Sequence, residues 1–231
     1  MHAVNQRDRE ANWGYRCART CYKEAVEIEL KWGLTHPQDL VRLLAALPEP
    51  RRIIVQQNHY FTDTDGQLHE ARTMVRIREE AQGGAGCATV EDVLLTVKRR
   101  TRVAEGVFEA EETEEPLDGA LWRDVLFERK TLDDLESPAL RGLRDSGFAG
   151  KWVPEGVLTN KRHVIDLEGF VLEVDRTLFD DGHVDVEVEV ETDNIDGARS
   201  LLERIGTEHG IDFYVQQSGK YSRFLKRLPR I

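Results

Sequence analysis

The sequence predicts an α+β fold in which about eight β-strands close into a barrel, with helices between some of them. Three observations lead there. First, charged and apolar residues alternate strictly in segment after segment, as in Glu27-Ile28-Glu29-Leu30-Lys31 and the seven residues from Asp185 to Glu191. Such period-two patterning gives a strand two different faces. Second, Val75–Arg78, Leu94–Lys98, Val107–Glu112, Arg52–Phe61, Gly156–Leu167 and Phe170–Arg176 bring the strand candidates to about eight, a number that can close into a barrel. Third, the intervening stretches carry helical patterns and turn signals.

Pro37 opens a helical stretch over Gln38–Leu47 that ends before Pro48. Leu117–Phe127 and Leu132–Leu143 read as two helices side by side in mid-chain. Asn194–Glu208 is amphipathic, with Ile195, Ala198, Leu201, Leu202 and Ile205 on one face. Lys220–Leu228 forms a short last helix. Asp63–Gly66, Gly83–Gly86 and Asp180–Gly182 mark turns. The glycine cluster at 83–86 lacks the Gly-Lys-Ser/Thr ending of a phosphate loop and precedes no helix, so it reads as a hairpin connection.

With 231 residues and 40% hydrophobic content, the chain can build a proper core. No apolar run reaches the 18 residues a membrane span needs, so no membrane partner is expected. Residues 1–10 lack a secretory apolar stretch, so cytoplasmic residence is the expectation. The net charge of -11, from 43 acidic against 32 basic residues, argues against nucleic acid as partner. Cys17, Cys21 and Cys87 make an odd set without metal-type spacing and read as reduced, structural thiols. The seven His residues show no ligand pair, which excludes a zinc site.

The polar faces of the strands carry the chemistry. They show Glu27, Glu29 and Lys31, then Arg76 and Arg78, Lys98, Glu109 and Glu111, Lys161 or Arg162, Asp175, and Glu187 and Glu189. A single strand of this kind is ordinarily the wet face of an open sheet. About eight of them are hard to arrange that way. Closure turns a charged face inward, where a ligand or ions must neutralise it. Arg forks and Lys ammonium groups suit the crowded charge of a triphosphate. Carboxylates cannot face phosphate directly. They suit Mg²⁺, which takes one or two carboxylates, waters and phosphate oxygens, so Glu27/Glu29 and Glu187/Glu189 are candidate metal ligands.

Glu27-x-Glu29-x-Lys31 resembles the E-x-E-x-K signature of the CYTH superfamily, the triphosphate tunnel metalloenzymes. Gln57–Thr64 is similar to that family's second strand, with an extra residue in Phe61-Thr62-Asp63 that suggests a bulge. Arg76-x-Arg78, Thr96-x-Lys98, Glu109-x-Glu111, Lys161-Arg162, Asp175, Glu187-x-Glu189 and Lys220-Tyr221 follow in the family's order, over roughly residues 22–228. The resemblance implies an eight-stranded antiparallel β-barrel tunnel flanked by helices. It implies that Lys31, Arg76, Arg78, Lys98, Arg162 and Lys220 grip the phosphates. It also implies that Glu27, Glu29, Glu109, Glu111, Asp175, Glu187 and Glu189 hold Mg²⁺ or Mn²⁺, with Glu189/Glu191 as the alternative to Glu187/Glu189. Arg162 is favoured over Lys161 as the inward residue, and Glu27, Glu29 and Lys31 take the catalytic roles.

The expected domain is 22–231, preceded by an extension over 1–21. Its expected activity is metal-dependent hydrolysis of the terminal phosphoanhydride of a small triphosphate, inorganic tripolyphosphate or thiamine triphosphate. A class IV adenylyl cyclase making cyclic AMP is the second reading. Cys21-Tyr22 stands where those cyclases carry His-Phe, which counts against it. A non-catalytic polyphosphate-binding module is the third, and the many carboxylates count against that. Trp32, Trp122 and Trp152 read as packing residues. A homodimer is left open.

Overall fold

The computed structural model describes residues 23–83 and 90–228. The readings made for Cys17, Cys21, Cys87 and Gly84–Gly86 fall outside the described residues. The strands are β1 (Lys23–Leu34), β2 (Arg52–Asp63), β3 (Thr73–Gln82), β4 (Val90–Ala104), β5 (Val107–Pro116), β6 (Trp152–Leu167), β7 (Phe170–Leu178), β8 (Val184–Glu191) and a short β9 (Phe213–Val215). The α-helices are α1 (Leu40–Ala46), α2 (Gln67–Glu70), α3 (Gly119–Leu126), α4 (Pro138–Asp145), α5 (Ile195–His209) and α6 (Lys220–Arg227). Every strand pairing is antiparallel, in the order β5-β4-β3-β2-β6-β7-β8-β1-β9. The additional β1–β5 pairing closes the first eight strands into a barrel. β9 adds to β1 outside the ring and was not foreseen from the sequence.

Alternation along the strands now has a physical meaning. Where helices cover the outer surface, the apolar residues point outward and the charged ones inward. On one side Leu30, Trp32, Val174, Val188 and Val190 pack under α5, whose Ala198, Leu201, Leu202 and Ile205 are buried. On the other, Phe61, Val75, Ile77, Leu95 and Val97 pack with Trp122, Leu132 and Leu140 from the mid-chain helices. The hydrophobic cores therefore lie between barrel and helices, and the barrel interior is left to polar groups. Trp32 and Trp122 are buried in these cores and Trp152 packs at the edge of one.

Local chemistry sets the helix ends. The Asp118 side chain caps α3 by accepting from the N–H groups of Ala120 and Leu121 at 2.8 and 3.1 Å. The segment Leu132–Leu143, read as one helix, is two: a 3₁₀ turn over Leu132–Asp134 and then α4. Ser137 and Pro138 divide them. Pro fits only the first turn of a helix, and Ser137 caps that turn by accepting from Leu140 N–H at 3.0 Å. The bulge suggested at Phe61–Asp63 lies instead on the facing strand. Tyr60 opposes Gly156 and Phe61 opposes Pro154, so Glu155 is the extra residue.

Helix α6 packs across one end of the barrel. Phe224 is buried with Tyr60, Met74, Leu158 and Phe179. Gly156 makes this possible: its φ is +153°, and a Cβ there would come within 2.6 Å of the Phe224 ring. No helix among the described residues is long and apolar enough to cross a membrane.

Candidate active site

The barrel interior is a cavity of about 650 Å³. Glu27, Glu29, Lys31, Arg76, Arg78, Lys98, Arg162, Glu189 and Lys220 all line it. Asp175 and Glu187 share the inward face and are fully buried against Arg162 and Lys220. Glu191 also faces the cavity, at an exposed position near the end of β8. On β6 Arg162 points inward and Lys161 is exposed.

Glu109 and Glu111 do not belong to this set. They lie on the outside of β5, where Glu109 pairs with Arg102 and Glu111 with Arg99. Glu112 and Glu114 line the cavity instead. The register shows why: on β1, Ala25 and Glu27 face inward, and they oppose Glu112 and Ala110. Opposed residues share a face, so the inward set on β5 is Phe108, Ala110, Glu112 and Glu114.

Opposite charges meet across strands rather than clustering by sign. Lys98 donates to Glu27 at 2.8 Å and Glu29 at 3.3 Å, and pairs with Glu112 at 2.8 Å. Lys31 pairs with Glu29 and Glu189. Arg162 donates to both Asp175 oxygens at 2.8 and 2.6 Å and to Glu189 at 2.7 Å, and also pairs with Glu173. Lys220 reaches Asp175, Glu187 and Glu189 at 2.6, 2.7 and 2.9 Å. Arg223 of α6 ties Asp185 and Glu187 at 2.8 and 2.9 Å. The charges of these groups therefore offset one another within the tunnel.

This pairing sets the protonation states. Burial opposes the charges on Glu189 and Asp175. The surrounding cations outweigh it, Lys220, Lys31 and Arg162 for Glu189 and Arg162 and Lys220 for Asp175, and hold both below the usual carboxylate range. Burial also opposes the Glu112 charge, but Lys98 and Arg76 hold that carboxyl at about 2. Glu27 goes the other way: burial, aided by Glu112 and Glu29, pushes it up to about 7 despite Lys98.

Arg78 also leads into a second group of polar residues, Gln56, Asn58, Glu80, Asn160 and Thr177, whose roles were not singled out in the sequence. Arg78 donates to Asn58 at 2.8 Å and lies 3.7 Å from Glu80. Glu80 accepts from Gln56 at 2.8 Å, Gln56 accepts from Asn160 at 2.9 Å, and Asn160 accepts from Thr177 at 3.1 Å. This buried chain runs across four strands and fixes one wall of the tunnel. Its signal was available, because Gln56, Asn58, Asn160 and Thr177 sit at inward positions of strands whose outward partners are apolar. Glu173, two residues before Asp175, could have been found the same way.

Asp175, Glu187 and Glu189 each offer an oxygen, all within 4.8 Å of one another, and all three residues are buried. Three convergent carboxylates are hard donors of the kind that suits a divalent cation, so the residues fit the metal that the sequence implied.

Comparison with known proteins agrees with this architecture. The CYTH domain pattern matches residues 25–213. No curated protein matches the chain. A Hippeastrum protein, described as an adenylyl cyclase candidate that reveals a dominant triphosphatase activity, is similar at 29% identity and a TM-score of 0.77, over 87% of this chain and 95% of that one. A Bacillus halodurans protein described as an adenylate cyclase candidate is 24% identical, with a TM-score of 0.65 over 87% and 98% of the two chains. The PH1819 protein of Pyrococcus horikoshii shares the fold at 18% identity and a TM-score of 0.55, over 87% and 99%. With the family's pattern spanning most of its length and its barrel closed around the charged interior, this chain belongs to the CYTH domain family.

Proposed function

We propose that this protein hydrolyses the terminal phosphoanhydride of a small triphosphate, with inorganic tripolyphosphate and thiamine triphosphate as the leading substrates and Mg²⁺ or Mn²⁺ as cofactor. The observation that carries this reading is the convergence of Lys31, Arg76, Arg78, Lys98, Arg162 and Lys220 with a buried carboxylate set in one cavity. The triphosphatase activity described for the Hippeastrum protein supports it.

Binding is an exchange of partners. Among the described residues the Arg76 guanidinium hydrogen-bonds the neutral Thr96 hydroxyl at 3.3 Å, with the Glu112 and Glu114 charges nearby, and can turn to a phosphate oxygen. Lys31, Lys98, Arg162 and Lys220 hold carboxylates in the free protein, and phosphate oxygens compete for the same N–H groups. Carboxylates released by that exchange would be left charged in a low-dielectric cavity. Asp175, Glu187 and Glu189, with Glu27 and Glu29 across the tunnel, would hold the divalent metal, which when bound offsets the triphosphate's charge and polarises a water. The basic residues then fix the phosphate chain in line with the attacking water. The water oxygen forms a new bond to the terminal phosphorus. The bridging oxygen leaves with the electron pair of the broken P–O bond, giving orthophosphate and a diphosphate product, and the water's two protons end on these products or in solvent.

Cyclisation asks for more, because a cyclase must hold a base and aim the ribose 3′-hydroxyl at the α-phosphorus. The aromatic rings along the cavity are already engaged. Tyr60 and Tyr221 lie 4.8 Å apart, Tyr60 packs on Phe224 at 5.1 Å, and Lys31 Nζ sits 5.5 Å over Phe108. With Mn²⁺, orthophosphate is expected quickly from tripolyphosphate and slowly from ATP, with no cyclic AMP. Chromatography of the products decides it: cyclic AMP and pyrophosphate as the main products from ATP would replace hydrolysis by the cyclase reading.

A further inference from the structure

The basic face of the tunnel does not stop at the six residues assigned to a triphosphate. On β4 the inward series runs Thr96, Lys98, Arg100. On β3 it runs Arg78, Arg76, Met74, and Arg72 stands just before the strand. Inward residues two apart on a strand are separated by about 7 Å, so Arg100 lies one step beyond Lys98 toward the α6 end. Arg72 and Arg100 are joined there by the backbone bond Arg100 N–H to Arg72 O, at 3.3 Å.

On β5 the inward carboxylates stop at Glu112. Lys98 faces Glu112 across the β4–β5 ladder, but Arg100 faces Ala110, and the next inward residue of β5 is Phe108. Lys31, Lys98, Arg162 and Lys220 each hold two or more carboxylates, whereas among the described residues the Arg100 guanidinium hydrogen-bonds the Ser222 hydroxyl at 2.5 Å. Burial and the neighbouring Arg72 charge both disfavour the charge on Arg100. Arg72 itself is held at a φ of +53°, in a left-handed conformation that an arginine enters only with strain. Over this pair stands the first turn of α6, whose N-cap, Gly219, lines the cavity and whose N–H groups have no side-chain cap. Two like charges, a hydroxyl and an uncapped helix start converge on the same end of the cavity, while the acids beside the first turn of α6, Asp175, Asp185, Glu187 and Glu189, are already held by Lys220 and Arg223.

We propose that Arg72 and Arg100, with Ser222 and the first turn of α6, form an anion subsite that takes a fourth phosphate, so that the tunnel prefers linear polyphosphate of four units over three. This rests on the triphosphate reading, since the fourth phosphate is reached only by a chain already seated on Lys98 and Arg76. The extra unit exchanges the Arg72–Arg100 repulsion for charge-assisted hydrogen bonds.

Calorimetric titration of the intact protein with tripolyphosphate and with tetrapolyphosphate, both with Mg²⁺, measures the margin between the two. The wild type is expected to bind tetrapolyphosphate about tenfold more tightly, a margin in keeping with one or two charge-assisted hydrogen bonds. Arg72→Gln combined with Arg100→Gln should shrink it to within about twofold, and Arg100→Lys should keep part of it. If loss of the Ser222 contact unfolds the double variant, the exposed Arg72→Gln alone should still narrow the margin. Equal affinities in the wild type, or a margin that survives both substitutions, would overturn the subsite. Binding of neither ligand overturns the subsite together with the triphosphate reading. Binding without orthophosphate release overturns only the hydrolytic reading, because the margin is still measured.

Discussion

Replacing Arg162 by Ala is expected to destabilise the ligand-free protein by about 3–5 kcal/mol, the cost of leaving a buried carboxylate without its partner. For a chain of this length that corresponds to a fall in Tm of roughly 6–20 °C. Asp175 has no exposed surface, and Arg162 holds both of its oxygens while also reaching Glu189 and Glu173. Lys220 can satisfy one Asp175 oxygen, at 2.6 Å, but it is shared with Glu187 and Glu189. Thermal unfolding followed by circular dichroism checks this. A drop of under about 3 °C would mean that Lys220 alone compensates Asp175 and that the ion-pair lattice is looser than its geometry indicates.

The largest loss of activity is expected from removing the metal or the carboxylate at the centre of the lattice. Exhaustive EDTA treatment should abolish phosphate release, because without cations the freed carboxylates repel the substrate they face. Glu189→Gln should lower turnover by at least about 10²-fold, a scale typical of losing major charge stabilisation in the transition state. Among the described residues Glu189 is the carboxylate that Lys31, Arg162 and Lys220 share. Gln keeps its size and one acceptor oxygen but loses the charge. Glu27→Gln and Glu29→Gln should act on the same scale from the opposite wall. Undiminished release after chelation would remove the metal from the reaction.

Much of the fold could be read from the strands because their two faces differ so sharply. In β8 the inward Glu187, Glu189 and Glu191 alternate with Val186, Val188 and Val190, and no other register fits. β5 is the counter-example. Its run Glu109-Ala110-Glu111-Glu112-Thr113-Glu114 carries acids on both faces, the outward Glu109 and Glu111 meeting Arg102 and Arg99. Period two cannot choose between faces in such a segment; only the neighbours β1 and β4 do, through Ala25 and Lys98 opposite Glu112. The same limit hid the charge balance. Strands read singly show blocks of one sign, and the neutralising partner of each block lies on the adjacent strand of the barrel. Arg72 and Arg100 escaped notice for a related reason, since one stands outside its strand and the other sits within the basic run Arg99-Arg100.

Thermal unfolding with ligands tests the tunnel's role most directly. Tripolyphosphate with Mg²⁺, at about a hundred times its Kd, should stabilise the folded protein by about 2.7 kcal/mol. That is a rise in Tm of roughly 5–10 °C. AMP with Mg²⁺, which offers a single phosphate to a site built for several, should leave Tm unchanged. Equal shifts from the two ligands, or none from tripolyphosphate, would contradict the assignment of Lys31, Arg76, Arg78, Lys98, Arg162 and Lys220 as a triphosphate grip.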